Sequence, residues 1–348
     1  MARSTNMVIP ELYESEALRA TKEIIEVFNA ASEGCILLDS EPARRALKGG
    51  DYLKNVRIKR PSGLVTRNDT ANPDSTAGTV AIQQGSGSSV VQQCRIGPAK
   101  YTRDEVMSGF MTPADYTVAL AELFSSERVL KVRNNAIAAL VAAVDSADTT
   151  DGSTASANIH VLDVARGKAA GAKATATISR LNTLLGRMAD ARADIRLFVM
   201  PSAVFADLVG DTISNYKIEN VAGATIYRDV VQAFGRRVLV ADVPALTSAL
   251  TSDYYTEYNI LGLGAGGVVA TIVSETGAIL KQYTDTEVLY DTVRQDFDVN
   301  YAIRGMKWSP GSATPNPTDA QLATAANWEE DYEDHRDFPV IKLVCNAA

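Results

Sequence analysis

Histidine, tryptophan and cysteine are scarce in this chain, at two, two and three among 348 residues. Cys35, Cys94 and Cys345 stand far apart with no CxxC pair, and His160 and His335 stand alone, so neither a disulfide framework nor a contiguous zinc motif is present. No apolar run reaches the roughly 18 residues that a membrane span requires, and Met1 to Pro10 lacks the apolar core of a secretory signal. The expectation is a chain that stays in a reducing cytoplasm with free cysteines. Basic excess is missing too. Lys and Arg number 34 against 42 Asp and Glu, a net charge of -8, so the molecule repels a phosphate backbone and sequence-specific DNA binding is disfavoured. With 46% hydrophobic and 22% charged residues, what remains is a folded globular protein, long enough for about two compact units.

Pro10 followed by Glu11, Glu14 and Glu16 marks a helix start, and a helix is expected from about Glu11 to Ala30. Its apolar residues Leu18, Ile24, Ile25 and Phe28 favour one side, enough to lie against another surface but not to form a core, so the segment reads as an arm. From Lys48 to Arg67 six basic residues stand against the single Asp51, and the alternation around Val56 and Ile58 is that of an exposed strand. A Thr, Ser and Gly-rich stretch from Asn68 to Ser89 follows, then a second strand through Val90 to Ile96, giving a long two-stranded ribbon with a soft tip. A ribbon of this kind is marginal by itself in water and calls for support.

Thr112-Pro113-Ala114-Asp115 supplies an N-cap, a proline at the first helical position and an acid two residues further. The stripe of Tyr116, Leu120, Leu123, Leu130, Ile137, Val141 and Val144 predicts the longest helix of the chain, about 30 residues. A polar linker, Asp148 to Ala157, and a second helix through Ile178, Leu181, Leu184, Leu185 and Met188 come next. Beyond it the pattern is strand-rich: Ile195 to Met200, a short helix closing at Gly210, a buried strand from Gly235 to Asp242, then Tyr254 to Ile260, Val268 to Val273, Val288 to Val293 and Val299 to Ile303. Helices and strands mix without a βαβ repeat, which predicts the α+β class. Between Asp319 and Asp337 seven acids face only Arg336, so the acid, like the base, is localised.

The motifs that could carry chemistry fail on context. Gly262-Leu263-Gly264-Ala265-Gly266-Gly267 lacks the phosphate-binding spacing, and the β-branched run from Val268 to Val273 behind it reads as a strand where a nucleotide site needs a helix. The cluster reads as a tight passage between strands, near an inner end of the subunit where copies would converge on a symmetry axis. Gly85-Ser86-Gly87 lies in the soft ribbon and has no histidine partner for nucleophilic catalysis. His160 and His335 read as structural or solvated, and Arg166, Lys168 and Lys173 as an ordinary basic patch. No catalytic, cofactor-binding or metal-binding residue is expected. What stands out is a set of elements that cannot bury themselves, the mark of a chain built to assemble.

Several stretches, in this order, resemble tailed-bacteriophage major capsid proteins of the HK97-like fold. They are Ile9-Pro10-Glu11-Leu12-Tyr13, Gly50 to Val56 with the polar hairpin and Tyr101 to Val106, Phe198 to Leu208 around Pro201, Gly235-Arg236-Arg237-Val238-Leu239-Val240-Ala241-Asp242, Tyr301 to Trp308, Asn316-Pro317-Thr318, and the final Lys342-Leu343-Val344. The resemblance implies an N-terminal arm over 1–47, an extended β-hairpin loop over 48–108, a peripheral domain with a long spine helix over 109–160, a mainly axial domain over 161–275, and return strands with a C-terminal tail over 276–348, mainly peripheral. It implies a non-enzymatic subunit that self-assembles as hexamers and pentamers into an icosahedral head shell, built in the host bacterial cytoplasm and enclosing DNA without sequence-specific binding. Portal, scaffolding and decoration proteins are implied partners, any scaffold being a separate protein, and no membrane is involved. Nothing marks Lys54 or Lys59 as a crosslinking lysine. A cellular nanocompartment shell of the same fold and, behind it, a cytosolic nucleotide-binding enzyme stay as alternatives. The candidate contacts between subunits are Arg57, Lys59 and Arg60 in the basic block and Glu329, Glu330 and Asp331 in the acidic one.

Overall fold

A computed structural model of the chain describes residues 8–39, 52–58, 84–102, 109, 112–150, 159–165, 174–215, 236–248, 256–275, 277, 279–284, 289–309, 316–332 and 334–347. In chain order its helices and strands are α1 (Pro10–Ala31), β1 (Ile36–Asp39), β2 (Tyr52–Ile58), β3 (Gln84–Tyr101), α2 (Pro113–Thr150), β4 (Val161–Asp163), α3 (Ile178–Arg187), β5 (Ile195–Met200), α4 (Ser202–Asn215), β6 (Arg237–Val240), β7 (Thr247–Ser248), β8 (Glu257–Gly264), β9 (Val268–Glu275), β10 (Ile279–Thr284), β11 (Leu289–Ile303), β12 (Met306–Trp308), α5 (Asp319–Leu322), β13 (Trp328–Glu330) and β14 (Val340–Asn346).

Two six-stranded sheets organise these elements. The first runs β1-β9-β11-β3-β2 with β10 also on β11, and the second runs β4-β14-β8-β5-β6 with β7 also on β8. Helix α2 touches β9 and β11 of the first sheet and β14 and β4 of the second. Its start is fixed as the sequence predicts, with the Thr112 hydroxyl accepting the Asp115 N–H at 3.2 Å. The helix has 38 residues, longer than the stripe suggests, which at 1.5 Å per residue is about 57 Å. The reason is alanine. Ala136, Ala139, Ala142, Ala143 and Ala147 are buried, so the C-terminal half threads between elements at close approach, while Leu123 and Leu130 of the expected stripe lie exposed.

One core joins the sheets, where Ile137, Leu140 and Val144 meet Val299, Tyr301 and Ile303 of the first and Leu261, Leu263 and Val340 of the second. Period-two alternation then gives the second sheet another apolar face: Phe198, Ile260, Ile341 and Leu343 pack on Leu181, Leu184 and Leu185 of α3 and Val204 and Leu208 of α4. At roughly 25 cal/mol per Å², each fully buried Leu or Ile on these faces contributes about 1.5 to 3 kcal/mol.

The structure corrects several sequence expectations. Helix α1 packs along α2 of its own subunit, burying Tyr13, Ala17, Ala20, Thr21 and Ile25 and leaving Leu18 exposed. Small and polar residues make that face, which a search for large apolar residues misses. Strand β6 is not buried but is an edge strand, with exposed Arg237 and Val240 at its ends. Helix α4 continues past Gly210 to Asn215. The two strands expected over 288–303 are one, the 15-residue β11.

Candidate assembly surfaces

The ribbon is present, and its geometry follows from the register. Strand β3 pairs with β11 from Val90 to Tyr101, and with β2 from Gln84 to Val90. Its outer segment, Gln84 to Ser89, pairs with β2 and not with β11, Ser88 reaching the Trp308 carbonyl of β12, and among the described residues β2 is an edge strand. These six residues at about 3.3 Å each span roughly 20 Å. Arg57 stands on β2 opposite Gly85. Lys59 and Arg60 lie outside the described residues, as do Lys48 and Arg67.

The acidic stretch is folded onto its own subunit more closely than its sequence suggests. Thr318 caps α5 with a full capping box to Gln321. Asp319 accepts from Gln92 and Asn135, each at 2.9 Å, and pairs with Lys131. Burial alone would raise its carboxyl pKa, but these three donors outweigh it and hold the pKa below the usual range. Glu329 and Glu330 lie on β13 opposite Lys307 and Met306, and Glu329 reaches the Lys307 ammonium at 3.2 Å. The Glu330 carboxylate accepts from the Tyr332 hydroxyl at 3.1 Å. Asp331 is buried, its backbone N–H donating to the Gly305 carbonyl at 2.9 Å. Glu329 and Glu330 thus point to opposite faces of β13, and Asp331 follows them buried.

Two buried cations are functional parts that reasoning from the sequence passed over. Arg128 of α2, with 1% of its side chain exposed, pairs with Glu275 at the end of β9 and donates to the Thr21 hydroxyl of α1. Lys342 of β14, 4% exposed, pairs with Asp145 of α2. For Lys342 the signal was a lone cation between Ile341 and Leu343 of an apolar strand, whereas Arg128, behind Glu127 and close to Lys131 and Arg133, carries no such signal. Asp242, in the stretch resembling the family, accepts the Ser202 N–H at 2.8 Å, which caps α4 and lowers its carboxyl pKa.

The other candidates resolve into structure. His160 is buried between Tyr332 and Phe338, with ring centroids 5.8 and 5.0 Å away. Its Nδ1 lies 2.8 Å from the Val340 carbonyl, which can only accept, so Nδ1 carries the proton. His335 lies 3.5 Å from Asp334. All three cysteines are free, and burial raises the Cys35 and Cys94 thiols to about 11 and Cys345 to about 12, leaving them poorly nucleophilic. Among the described residues no three His, Cys, Asp or Glu side chains gather as metal ligands, and no helix is long and apolar enough to cross a membrane.

The glycine cluster is a passage between strands, as expected. It carries the chain from β8 in the second sheet to β9 in the first, at the seam, where Gly266 N–H donates to the Gly34 carbonyl at 2.8 Å and Gly264 N–H to that of Pro339 at 2.8 Å. No helix starts there, so its N–H groups serve the sheets.

A long helix laid across two sheets, with a ribbon running out from one, is the HK97-like arrangement, and the class is that of phage shell subunits. The capsid of cyanophage Pam1 shares the fold at a TM-score of 0.50 and 16% identity, over 90% of this chain and 88% of that one. The capsids of Ralstonia phage GP4 and of Helicobacter pylori bacteriophage KHP30 each match with a TM-score of 0.49, at 13% and 10% identity. The GP4 match covers 92% of this chain and 89% of that one, and the KHP30 match 92% and 91%. No curated protein sequence matches the chain. Residues 7–339 match the model of the Gp13-like family, major capsid protein 13-like, and the chain belongs to that family. It is a major capsid protein: a structural component of the virion that assembles with its own copies into the shell of the phage head.

Proposed function

We propose that the subunit closes an icosahedral shell around the phage genome as hexamers and pentamers, and that Arg57, Lys59 and Arg60 of one ribbon face Glu329, Glu330 and Asp331 of a neighbour. The observation that carries this reading is the pairing of Gln84 to Ser89 with β2 and not with β11, because a two-stranded ribbon is marginal by itself and calls for support. In the same reading the segments 1–47, 48–108, 109–160, 161–275 and 276–348 act as arm, extended loop, spine-bearing peripheral part, mainly axial part and return. The subunit catalyses nothing, assembles in the host bacterial cytoplasm, and meets a portal and separate scaffolding and decoration proteins at the shell.

Individual exposed ion pairs are worth about 0 to 1 kcal/mol, so the charges set register and rate while apolar contacts supply the affinity. Repetition around a closed shell multiplies a small term. Reversing Arg57, Lys59 and Arg60 to Glu should slow particle formation, followed by light scattering and electron microscopy. Reversing Glu329 and Glu330 to Lys in the same chain should restore part of the rate. Normal assembly of the triple variant at low salt, or no rescue, would remove the pairing from the reading and leave the shell.

A further inference from the structure

We infer that the Asn29 side chain is a plug in the edge of the first sheet, and that it keeps a second copy of the chain from adding a strand there. The inference goes beyond the charge pairing proposed above and does not depend on it.

Among the described residues, β1 and β2 stand at the two ends of the first sheet, in the order β1-β9-β11-β3-β2. Pairing β2 of one copy with β1 of the next would extend the sheet head to tail without closure, the kind of contact that makes filaments and not shells. Strand β1 is suited to that error. Cys35-Ile36-Leu37-Leu38 is apolar and holds none of the prolines, lysines or arginines that blunt an edge.

The bonds around β1 shut this edge. The strand runs parallel to β9, and the Cys35 carbonyl accepts the Val268 N–H, so Cys35, Leu37 and Asp39 turn their backbone groups toward β9 while Ile36 and Leu38 turn theirs outward. Asn29, in the last turn of α1, meets both outward groups of Leu38. Its Nδ2 donates to the Leu38 carbonyl at 2.7 Å, and its Oδ1 accepts the Leu38 N–H at 2.9 Å. One side-chain amide thus makes the two bonds that a residue of an added antiparallel strand would make. The Ser32 hydroxyl donates to the Ile36 carbonyl at 2.9 Å, the shorter of its two acceptor contacts. A reversal at Glu33 and Gly34, with φ of 51° and 68°, aims the amide, and the Gly34 N–H donates to the Asn29 carbonyl at 3.2 Å.

The same device recurs on β3, where β2 stops covering it. Strand β2 pairs only as far as Val90, and the Gln93 N–H donates to the Asn316 side-chain oxygen at 2.8 Å. Further along β3 stand Arg95, Pro98 and Lys100, all exposed, which are the guards that β1 lacks.

The test compares Asn29→Ala with Asn29→Asp in the full chain. Alanine opens the edge and is the better helix former, so it does not weaken α1. Aspartate cannot donate to the Leu38 carbonyl and sets a negative charge near the C-terminal end of α1, where it is unfavourable, yet a charge at the edge still repels an added strand. A purely stabilising Asn29 makes aspartate at least as harmful as alanine; a plug makes alanine alone redirect assembly. Electron microscopy and sedimentation should show the share of subunits in closed particles falling about threefold to tenfold for Asn29→Ala, the scale of one lost hydrogen bond, with open polymers that bind thioflavin T in their place. Closed particles should persist in Asn29→Asp. Hydrogen exchange of the unassembled subunit should find the Leu38 N–H protected in the unaltered chain and exchanging about tenfold faster in Asn29→Ala. An unchanged yield of closed particles from Asn29→Ala, equal losses in the two variants, or an unprotected Leu38 N–H in the unaltered chain would each overturn the inference.

Discussion

The ammonium of Lys342, on a central strand of the second sheet, is paired with the carboxylate of Asp145 near the end of α2. Arg128 makes the corresponding contact with the first sheet through Glu275, 17 residues earlier in α2, or about 26 Å along the helix. One helix is thus ionically tied to both sheets. The Lys342 side chain is 4% exposed and that of Asp145 is 41% exposed, so the two ends respond differently to substitution. Asp145→Ala strands a buried ammonium and should cost the unassembled subunit about 1 to 3 kcal/mol in urea denaturation. Lys342→Met removes the charge and keeps the volume, and should change stability by less than about 1 kcal/mol. Equal losses for the two variants would contradict this account.

Asp319 gives the molecule an acid-sensitive tie between α5, α2 and β3. Its pKa is depressed in the fold, so its stabilising contribution is present above the unfolded carboxylate pKa of about 3.9 and is lost as pH falls through the lower folded value. Asp319→Asn should therefore lower stability at pH 7, and by less as pH falls below about 3.9 toward the lower folded value. Denaturation midpoints of both proteins at pH 7, 5, 4 and 3 check this. A gap between them that stays constant with pH would refute it.

How far the sequence could be read follows from where information is local. The Thr112-Pro113-Ala114-Asp115 start, the Val268 strand and the ribbon were legible because caps, β-branching and turn composition act within a few residues. The α1 face was not, since Ala17, Ala20 and Thr21 become an interface only once α2 supplies the opposite surface. Lys342 was quoted as part of a strand, yet its role depends on Asp145, 197 residues away. The acidic block was legible as charge. That Lys131, Lys307 and Tyr332 engage much of it within the subunit was not, because those partners lie on other elements or involve a hydroxyl that charge counting ignores.

Arg128 makes a prediction about α1. Its fork reaches Glu275 and Thr21, and the Tyr13 hydroxyl of α1 donates to Gln295 at 3.2 Å in the same cluster. Lysine has the charge but not the fork, so Arg128→Lys should lose one of these bonds and cost about 1 to 3 kcal/mol. Glu275→Gln still accepts at the amide oxygen and should cost less. Limited proteolysis should show α1 cut sooner in Arg128→Lys than in Glu275→Gln, and the reverse order would overturn the assignment.

The glycine passage separates two reasons for having no side chain. A Cβ on Gly262 would meet the Ile341 side chain at 2.7 Å, whereas one on Gly264 would meet the Pro339 ring at 2.7 Å and the Asp194 carbonyl oxygen at 2.9 Å. An isoleucine terminus can rotate or be shortened; a proline ring and a backbone carbonyl cannot. Both alanine variants overpack the seam, at about 1 to 3 kcal/mol, with Gly264→Ala at or above the upper end. In a double-mutant cycle Gly262→Ala should be partly offset by Ile341→Ala, which removes both the Cγ1 at 2.7 Å and the Cδ1 at 3.0 Å, and Gly264→Ala should not be. Gly266→Ala is a control of another kind, because φ is +64° with open space around the position, so only backbone strain of about 1 to 2 kcal/mol applies. Thermal denaturation of the unassembled variants should rank Gly264→Ala least stable of the three glycine variants, and its offset by Ile341→Ala would show that the crowding lies elsewhere.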